Sequence, residues 1–348
     1  LVELFEIRHE NGPTKAKYHF FWDVLKTFRW VNFKKLKTEI HIMYTLKNFI
    51  KIYFRRFKKD FLHYSVNVLG LVLGFSVLLF ILMYVETEKS IDAYHTKGDR
   101  IYRVLEKSVS EEEGEHHYPT VSNPLAPALE DEFPQIEATA RLLYIGSSVL
   151  RYGDISFPDR DYVLANPSIF NILDFEVLAG DPLASLDGAL ISVVLSSSTA
   201  KRLFGDEDPI GKTVDMVGRL ENLPVTAVIE DMPSNSSYQF SAIYITNFSG
   251  FGSRFESMFQ SWESRMFSSF VLLKEGAVPS SIMARKSDFL LKHMDEDAAR
   301  QHDFYLQPIK EIHLNSQHLH SSGNAPLLHI PYSNRRFVDI ILIIGIAV

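Results

Sequence analysis

The segment of this 348-residue chain closest to a catalytic motif is Gly205–Thr213, reading GDEDPIGKT. A phosphate-binding loop needs four residues between its glycines, so that backbone N–H groups converge on the phosphate and the lysine reaches it. Here five residues separate Gly205 from Gly211. Asp206, Glu207 and Asp208 would repel phosphate, and Pro209 removes a backbone donor. The segment therefore predicts a turn, with Gly205 closing a helix and Gly211 opening a hairpin. Histidines gather at His313, His318, His320 and His329. His318 and His320 could ligate a metal if they lay on a strand, but their Ser, Asn and Gly neighbours predict an exposed loop. Ser196, Ser197 and Ser198 precede a helical run and read as caps, since no G-x-S-x-G elbow surrounds them. The chain has no cysteine, which excludes disulfides, thiol catalysis and Cys-ligated metals. No paired carboxylates or triad order can be traced. The expectation is a non-enzyme with no catalytic residue, no metal ligand and no cofactor of its own.

The element that must organise everything else is Val66–Val85, VNVLGLVLGFSVLLFILMYV, which carries no charged side chain. At roughly 1.5 Å per residue such a helix spans about 30 Å, the hydrocarbon thickness of a bilayer. Lipid offers no partner to backbone N–H and C=O groups, so the run must be helical. It is too long for the apolar core of a signal peptide, and 65 residues precede it. Residues 1–65 hold 14 Lys and Arg against 6 Asp and Glu, net +8, while the remaining 283 residues carry net −15. Positive charge favours the cytoplasmic side, which predicts residues 86–334 outside. The basic excess suits anionic lipid; nothing indicates a folded basic face for nucleic acid.

Before the membrane run, Leu46, Phe49, Ile50, Tyr53, Phe54, Phe57 and Phe61 recur at helical spacing. Lys47, Lys51, Arg55, Arg56, Lys58 and Lys59 fill the other face. Residues 44–65 thus read as a basic amphipathic helix lying in the membrane interface. Gly70 and Gly74 form a GxxxG pair, which would let another helix approach closely. The run has no Asp, Glu, His or Arg at depth, which argues against a charged-substrate path along it.

Beyond Val85, strand and helix signals alternate without repeats. Ser90–Lys97 is expected to continue the helix. Strands are expected near Arg100–Val104, Ala138–Tyr144, Val163–Ala165, Leu190–Leu195, Thr213–Met216, Val225–Glu230, Ala242–Thr246, Phe267–Leu273 and Tyr305–Ile309. Helices are expected after an Asn123 cap to about Phe133, from Ser196 to Phe204, and from Pro279 to near Asp297. Glu111 to Glu115 reads as an acidic turn. This mixed order predicts an α+β extracytoplasmic domain between transmembrane helices. Phe337–Val348, FVDIILIIGIAV, reads as the opening of a second membrane helix within 335–348, so the chain is expected to be a membrane protein fragment.

Four ordered stretches carry a family resemblance: SIDAYHTKGDRIYRV (Ser90–Val104), FNILDFEVLAGDP (Phe170–Pro182), LSSSTAKRLFGDEDPIGKTVD (Leu195–Asp215) and VTAVIEDMPSNSSYQF (Val225–Phe240). Together they resemble the periplasmic core domain of MacB/FtsX-like ABC transporter permeases of the Bacteroidetes type. Weaker similarity runs through YLQPIKEIHL (Tyr305–Leu314). Residues 1–43 resemble the tail of a small prefix domain found ahead of some bacterial permeases. The resemblance implies an inner-membrane permease subunit with residues 86–334 as a periplasmic core domain. It implies partnership with a cytoplasmic ABC ATPase subunit, which would hold ATP and Mg. It also implies a homodimer or heterodimer of permeases, leaves room for a periplasmic adaptor, and involves no nucleic acid. Such a subunit transmits ATP-driven motion across the membrane, for efflux or for signalling; lipoprotein, antimicrobial peptide, drug and cell-wall hydrolase control all occur in the wider family. The competing reading is a membrane receptor with a periplasmic ligand-sensing domain. The two diverge after Val348, where a permease continues into further membrane spans and a receptor into a signalling helix.

Overall fold

The computed structural model describes residues 38–347 except 111–113, 145, 147, 160–161, 185–190, 249–252 and 321–331. The prefix-like residues 1–37, Glu111 and His329 therefore lie outside the described residues. The chain divides into two units, Leu1–Ser76 and Val77–Val348.

In the first unit, α1 (Thr38–Lys59) is followed at once by α2 (Phe61–Ser90), which runs on into the second unit. Only Asp60 interrupts them, and Asp60 N–H still bonds to Arg56 O at 2.9 Å. An aromatic cluster holds the bend: the Phe57 ring meets Phe61 at 5.3 Å and Tyr64 at 6.1 Å, and Tyr53 meets Tyr64 at 5.8 Å. Such pairs stabilise by about 0.5–1.5 kcal/mol each beyond their burial. The membrane-compatible helix thus starts at Phe61, earlier than the charge-free run suggests. Among the described residues α2 is the one helix long and apolar enough to cross a membrane.

The second unit is built on a mixed sheet. In chain order come β1 (Ile101–Ser110), β2 (Gly114–Tyr118), α3 (Leu125–Glu132), β3 (Ile136–Tyr144), β4 (Ser148–Tyr152), β5 (Ile155–Asp159) and β6 (Tyr162–Ala165). Then come α4 (Ile169–Ile172), β7 (Val177–Gly180), β8 (Ser192–Ser196), α5 (Ser197–Phe204), β9 (Thr213–Met216), β10 (Leu220–Ile229), β11 (Ala242–Ile245) and α6 (Ser253–Gln260). The unit closes with β12 (Phe267–Leu273), α7 (Pro279–Met283), α8 (Lys286–His293), α9 (Glu296–Gln301), β13 (His302–Pro308) and α10 (Arg335–Ala347). Thirteen described strands run in the order β13-β1-β12-β3-β6-β11-β8-β10-β9-β4-β5, with β2 on β1 and β7 on β10. The pairs β8–β10 and β6–β11 are parallel and the rest antiparallel.

The central strands YVLA, SVVLS and AIYI are buried throughout, as expected where both faces of a sheet are covered. Alternation sorts them: Tyr162, Leu164, Val193, Leu195 and Tyr244 join a core with Leu203 and Phe204 of α5. Val163, Ala165, Val194, Ile243 and Ile245 join the opposite core with Ile169, Ile172, Tyr238, Ile309 and Ile312. A third core packs α3 and α8 against β1, β12 and β13 through Leu129, Phe289, Val271 and Phe304.

Several local expectations change. The helix from Pro279 breaks twice: Arg285 leaves the helical conformation between α7 and α8, at φ −111° and ψ 6°, and Met294 is extended before Asp295 caps α9 by accepting from Ala298 N–H. Asn123 does not cap α3; its side chain bonds Phe259 O at 2.9 Å and Arg141 at 2.9 Å. Ser196 does cap α5, accepting from Thr199 N–H.

Candidate functional site

The site that the fold builds from most elements is the end of α2, where the apolar helix enters the sheet domain. Helical bonding stops at Ser90, short of the expected Lys97. Asp92 is fully buried and adopts φ 58°, a left-handed backbone that costs an L-residue about 1–2 kcal/mol. Two contacts hold it there. Its N–H donates to Asn235 O at 2.8 Å, and its Oδ1 accepts from Ser237 N–H at 2.8 Å. Asn235 Nδ2 donates in turn to Ser90 O at 3.1 Å, capping a terminal helix carbonyl. The C-terminus of α2 is thus capped jointly by the 233–238 loop and by local bonds, from Ala93 N–H to Ser90 O at 3.1 Å and from Ser90 Oγ to Thr87 O at 2.9 Å. Burial pushes the Asp92 carboxyl up, against the hydrogen bonds from Ser237 and the nearby His313 and Arg103.

The following turn is a collar against the loop after α4. Tyr94 OH meets Ser236 Oγ at 2.9 Å. Asp174 N–H donates to His95 Nδ1 at 3.2 Å, so that nitrogen carries no proton. The Asp174 carboxylate accepts from Thr96 N–H and, at 3.2 Å, from the Thr96 hydroxyl. Lys97 Nζ donates to Asn171 O at 2.7 Å, and Lys310 pairs with Asp99 at 2.7 Å.

His95 is 4% exposed, and burial lowers its pKa to about 4 against the opposing pull of Asp174. The unfolded state takes up a proton near pH ~6.5 and the folded state resists until about 4, so stability is constant above that window and falls as pH drops through it. The full loss is on the order of 3 kcal/mol. Chemical denaturation at pH ~7 and ~5 is expected to show this fall in the wild type and a smaller one in His95→Asn, whose amide can still accept the Asp174 N–H. Equal slopes in the two proteins would exclude His95 as the cause.

The second apolar helix meets the same place. Glu88 pairs with His313 at 3.0 Å and Lys89 with Asp339 at 3.8 Å. Val85, Leu314 and Val338 form a small buried cluster, with Ile81 and Leu342 packed on it. A Cβ on Gly345 would lie 2.8 Å from Ile81 Cγ2, so the Ile81 side chain packs directly on the α10 backbone there. The lead into α10 hangs on the preceding turn: Ser333 N–H bonds His313 O at 2.8 Å and Arg335 N–H bonds Leu314 O at 3.2 Å.

Beneath this junction lies Arg103, 1% exposed on β1. Its Nε and Nη2 donate to Gln307 Oε1 at 3.2 and 2.7 Å, Nη2 to Ser316 Oγ at 2.8 Å, and Nη1 to Tyr332 OH at 3.5 Å. One guanidinium therefore joins β1, β13, the turn and the residues ahead of α10.

The residues singled out from sequence fall elsewhere. A Cβ on Gly70 or Gly74 would meet nothing within 4 Å in this chain. Lys47, Lys51, Arg55, Arg56, Lys58 and Lys59 are exposed, as are Tyr44, Leu46, Phe49 and Phe54 on the other side of α1. Gly205–Thr213 forms no cradle. Gly211 N–H bonds Val225 O at 2.9 Å, Ile210 N–H bonds Asp208 Oδ1 at 3.0 Å, and Lys212 pairs with Glu207. The collar residues Asp92, His95, Asp174 and Asn235 and the contact at Gly345 escaped residue-type reasoning. The four collar residues lie in stretches already marked for resemblance, whereas Gly345 lies outside them.

A family model described as the MacB-like periplasmic core domain matches residues 65–286. Among solved structures, a domain of a permease protein from Porphyromonas gingivalis is 23% identical, with TM-score 0.53, covering 62% of this chain and 91% of that one. The periplasmic region of MacB from Actinobacillus actinomycetemcomitans gives 19% identity and TM-score 0.43, covering 62% and 91%. The extracellular domain of the noncanonic ABC-type transporter YknZ from Gram-positive bacteria gives 14% and 0.40, covering 60% and 99%. No curated protein matches the chain.

Proposed function

The chain belongs to the MacB-like periplasmic core domain family, and on that footing we propose that it is the membrane subunit of an ABC-type transporter that passes ATP-driven movement into its outer domain. The collar is the observation that carries the reading. The family match runs unbroken from α2 into the sheet domain, and α2 ends on hydrogen bonds supplied by that domain. A displacement of α2 would therefore pull directly on the 233–238 and 169–176 loops. In this reading the ATPase is a separate cytoplasmic subunit holding ATP and Mg, and the permease works as a dimer in the inner membrane with residues 86–334 in the periplasm. The exposed aromatic and basic sides of α1 suit the cytoplasmic interface, where each Lys or Arg near anionic lipid adds about 1 kcal/mol. Gly70 and Gly74, open on this chain, are free to receive a helix from a neighbouring molecule.

Topology is the first test. The chain has no cysteine, so single replacements report cleanly. Lys274→Cys is expected to react with an impermeant thiol reagent in intact spheroplasts, and Lys51→Cys only after permeabilisation. The opposite pattern would overturn the reading.

A further inference from the structure

Two buried groups of opposite charge meet only neutral hydrogen-bond partners. Asp92 is fully buried and Arg103 is 1% exposed. The Arg103 donors go to Gln307, Ser316 and Tyr332, none of which carries charge. Asp92 Oδ1 accepts from the Ser237 backbone at 2.8 Å, and Oδ2 takes no hydrogen bond among the described residues. An arginine keeps its proton in a protein interior, and a buried charge without an opposite one is costly. Attraction in the interior reaches beyond contact distance, because little there screens it.

One loop joins the two groups. Ser237 N–H holds the Asp92 carboxylate, and the next residue, Tyr238, is 2% exposed with its phenol toward Arg103 and Ser268. The Tyr238 ring is fixed against Phe270, centroids 5.3 Å apart. Besides Arg103, the titratable groups that face Asp92 are His313 and Tyr94. His313 is engaged with Glu88 at 3.0 Å. The Tyr94 hydroxyl meets Ser236, and burial pushes its ionisation up, so it stays neutral. Arg103 is the cation left to balance Asp92.

We infer that Arg103 is the counter-charge of Asp92, the two forming one buried ion pair across the Ser237–Tyr238 step. Arg103 is thereby a positioning residue for the collar. It keeps Asp92 ionised, and the ionised carboxylate accepts the Ser237 N–H more strongly than a neutral one would. That bond is one of those that hold the left-handed turn at the end of α2. Arg103 also bonds Ser316 of the turn that leads toward α10. The end of α2 and the lead into α10 therefore share one electrostatic unit. The inference does not depend on an ATPase partner.

The test is a double-mutant cycle on the full chain in detergent micelles, read by chemical denaturation at pH ~7.5. Asparagine tolerates the left-handed backbone and keeps an oxygen for Ser237 N–H, so Asp92→Asn removes the charge with little else. The loss of folding constant on Asp92→Asn is expected to be more than about threefold larger in the wild-type background than in Arg103→Met. A ratio below about threefold means that the two sites act independently and overturns the inference. Arg103→Lys keeps the charge while losing much of the network, and the coupling should persist in that background. Coupling lost there as fully as in Arg103→Met also overturns it. Should Arg103→Met fail to fold, carbon NMR of the wild type decides, with Asp92→Asn identifying the signal. A carboxyl shift of the ionised form at pH ~7.5 supports the pair, and that of the protonated form overturns it.

Discussion

Replacing Arg103 by methionine is expected to destabilise the sheet domain by about 3 kcal/mol, through lost hydrogen bonds to a charged group and a buried acceptor left without its donor. The methionine fills much of the volume but leaves Gln307 Oε1 without the donor that now reaches it at 2.7 Å, while Ser316 Oγ keeps Gln307 Nε2 at 3.2 Å. Each hydrogen bond to a charged group contributes about 1.5–3 kcal/mol, and an orphaned buried acceptor costs about as much again. Arg103→Lys should recover only part of the loss. A lysine keeps the charge but cannot present two nitrogens to Gln307 while reaching Ser316 and Tyr332. Chemical denaturation of both variants checks this. A methionine variant within about 1 kcal/mol of wild type would show that the network contributes nothing.

The second large effect is expected at Gly345. A Cβ there would stand 2.8, 3.0 and 3.3 Å from three atoms of the Ile81 side chain, which is branched at its own Cβ and cannot simply swing away. Gly345→Leu should therefore force α10 off α2, at the roughly 1–3 kcal/mol typical of overpacking or more. Cysteines at Val85 and Val338, which share one buried cluster, report the separation through their cross-linking yield. The yield is expected to fall steeply in Gly345→Leu and to recover when Ile81→Ala opens space opposite. Gly70→Leu/Gly74→Leu makes the contrast. Neither glycine has an atom within 4 Å of a built Cβ, so the double variant should leave this cross-link intact. A defect in that variant would have to come from contact with another molecule.

Much of the fold was legible because period and turn chemistry acted locally. Thr213–Met216 and Phe267–Leu273 are observed at the bounds expected for them. Gly205 and Gly211 take φ 62° and 77°, the left-handed backbone that a turn reading required. The failures share a cause in distant partners. Ser90–Lys97 has helical composition, yet the helix stops because Asn235 and Ser237, remote in sequence, capture Asp92. Asn123 stands ahead of a proline like a cap, but Arg141 and Phe259 claim its side chain. The strand β7 has every residue exposed, and its end is fixed by a backbone approach so tight that a Cβ on Gly180 would sit 2.1 Å from Thr226 O. At the candidate site the same holds: Gly345 matters only because Ile81 lies opposite, and a GxxxG spacing cannot reveal which glycine has a neighbour.

The central claim is that movement of α2 reaches the outer domain through the collar. Its most direct measurement uses the full protein with the proposed ATPase subunit in nanodiscs, a spin label at Lys274, and the distance between labels on the two copies of the proposed dimer. Adding ATP and Mg is expected to shift that distance in the wild type. In Asp92→Ala/Asn235→Ala the shift should shrink markedly while ATPase recruitment persists, because the two side-chain bonds tying Ser90 and Asp92 to the 233–238 loop are gone and only the backbone bond from Asp92 N–H to Asn235 O remains. A collar variant that responds to ATP as fully as the wild type, or a wild type that does not respond, would contradict the account.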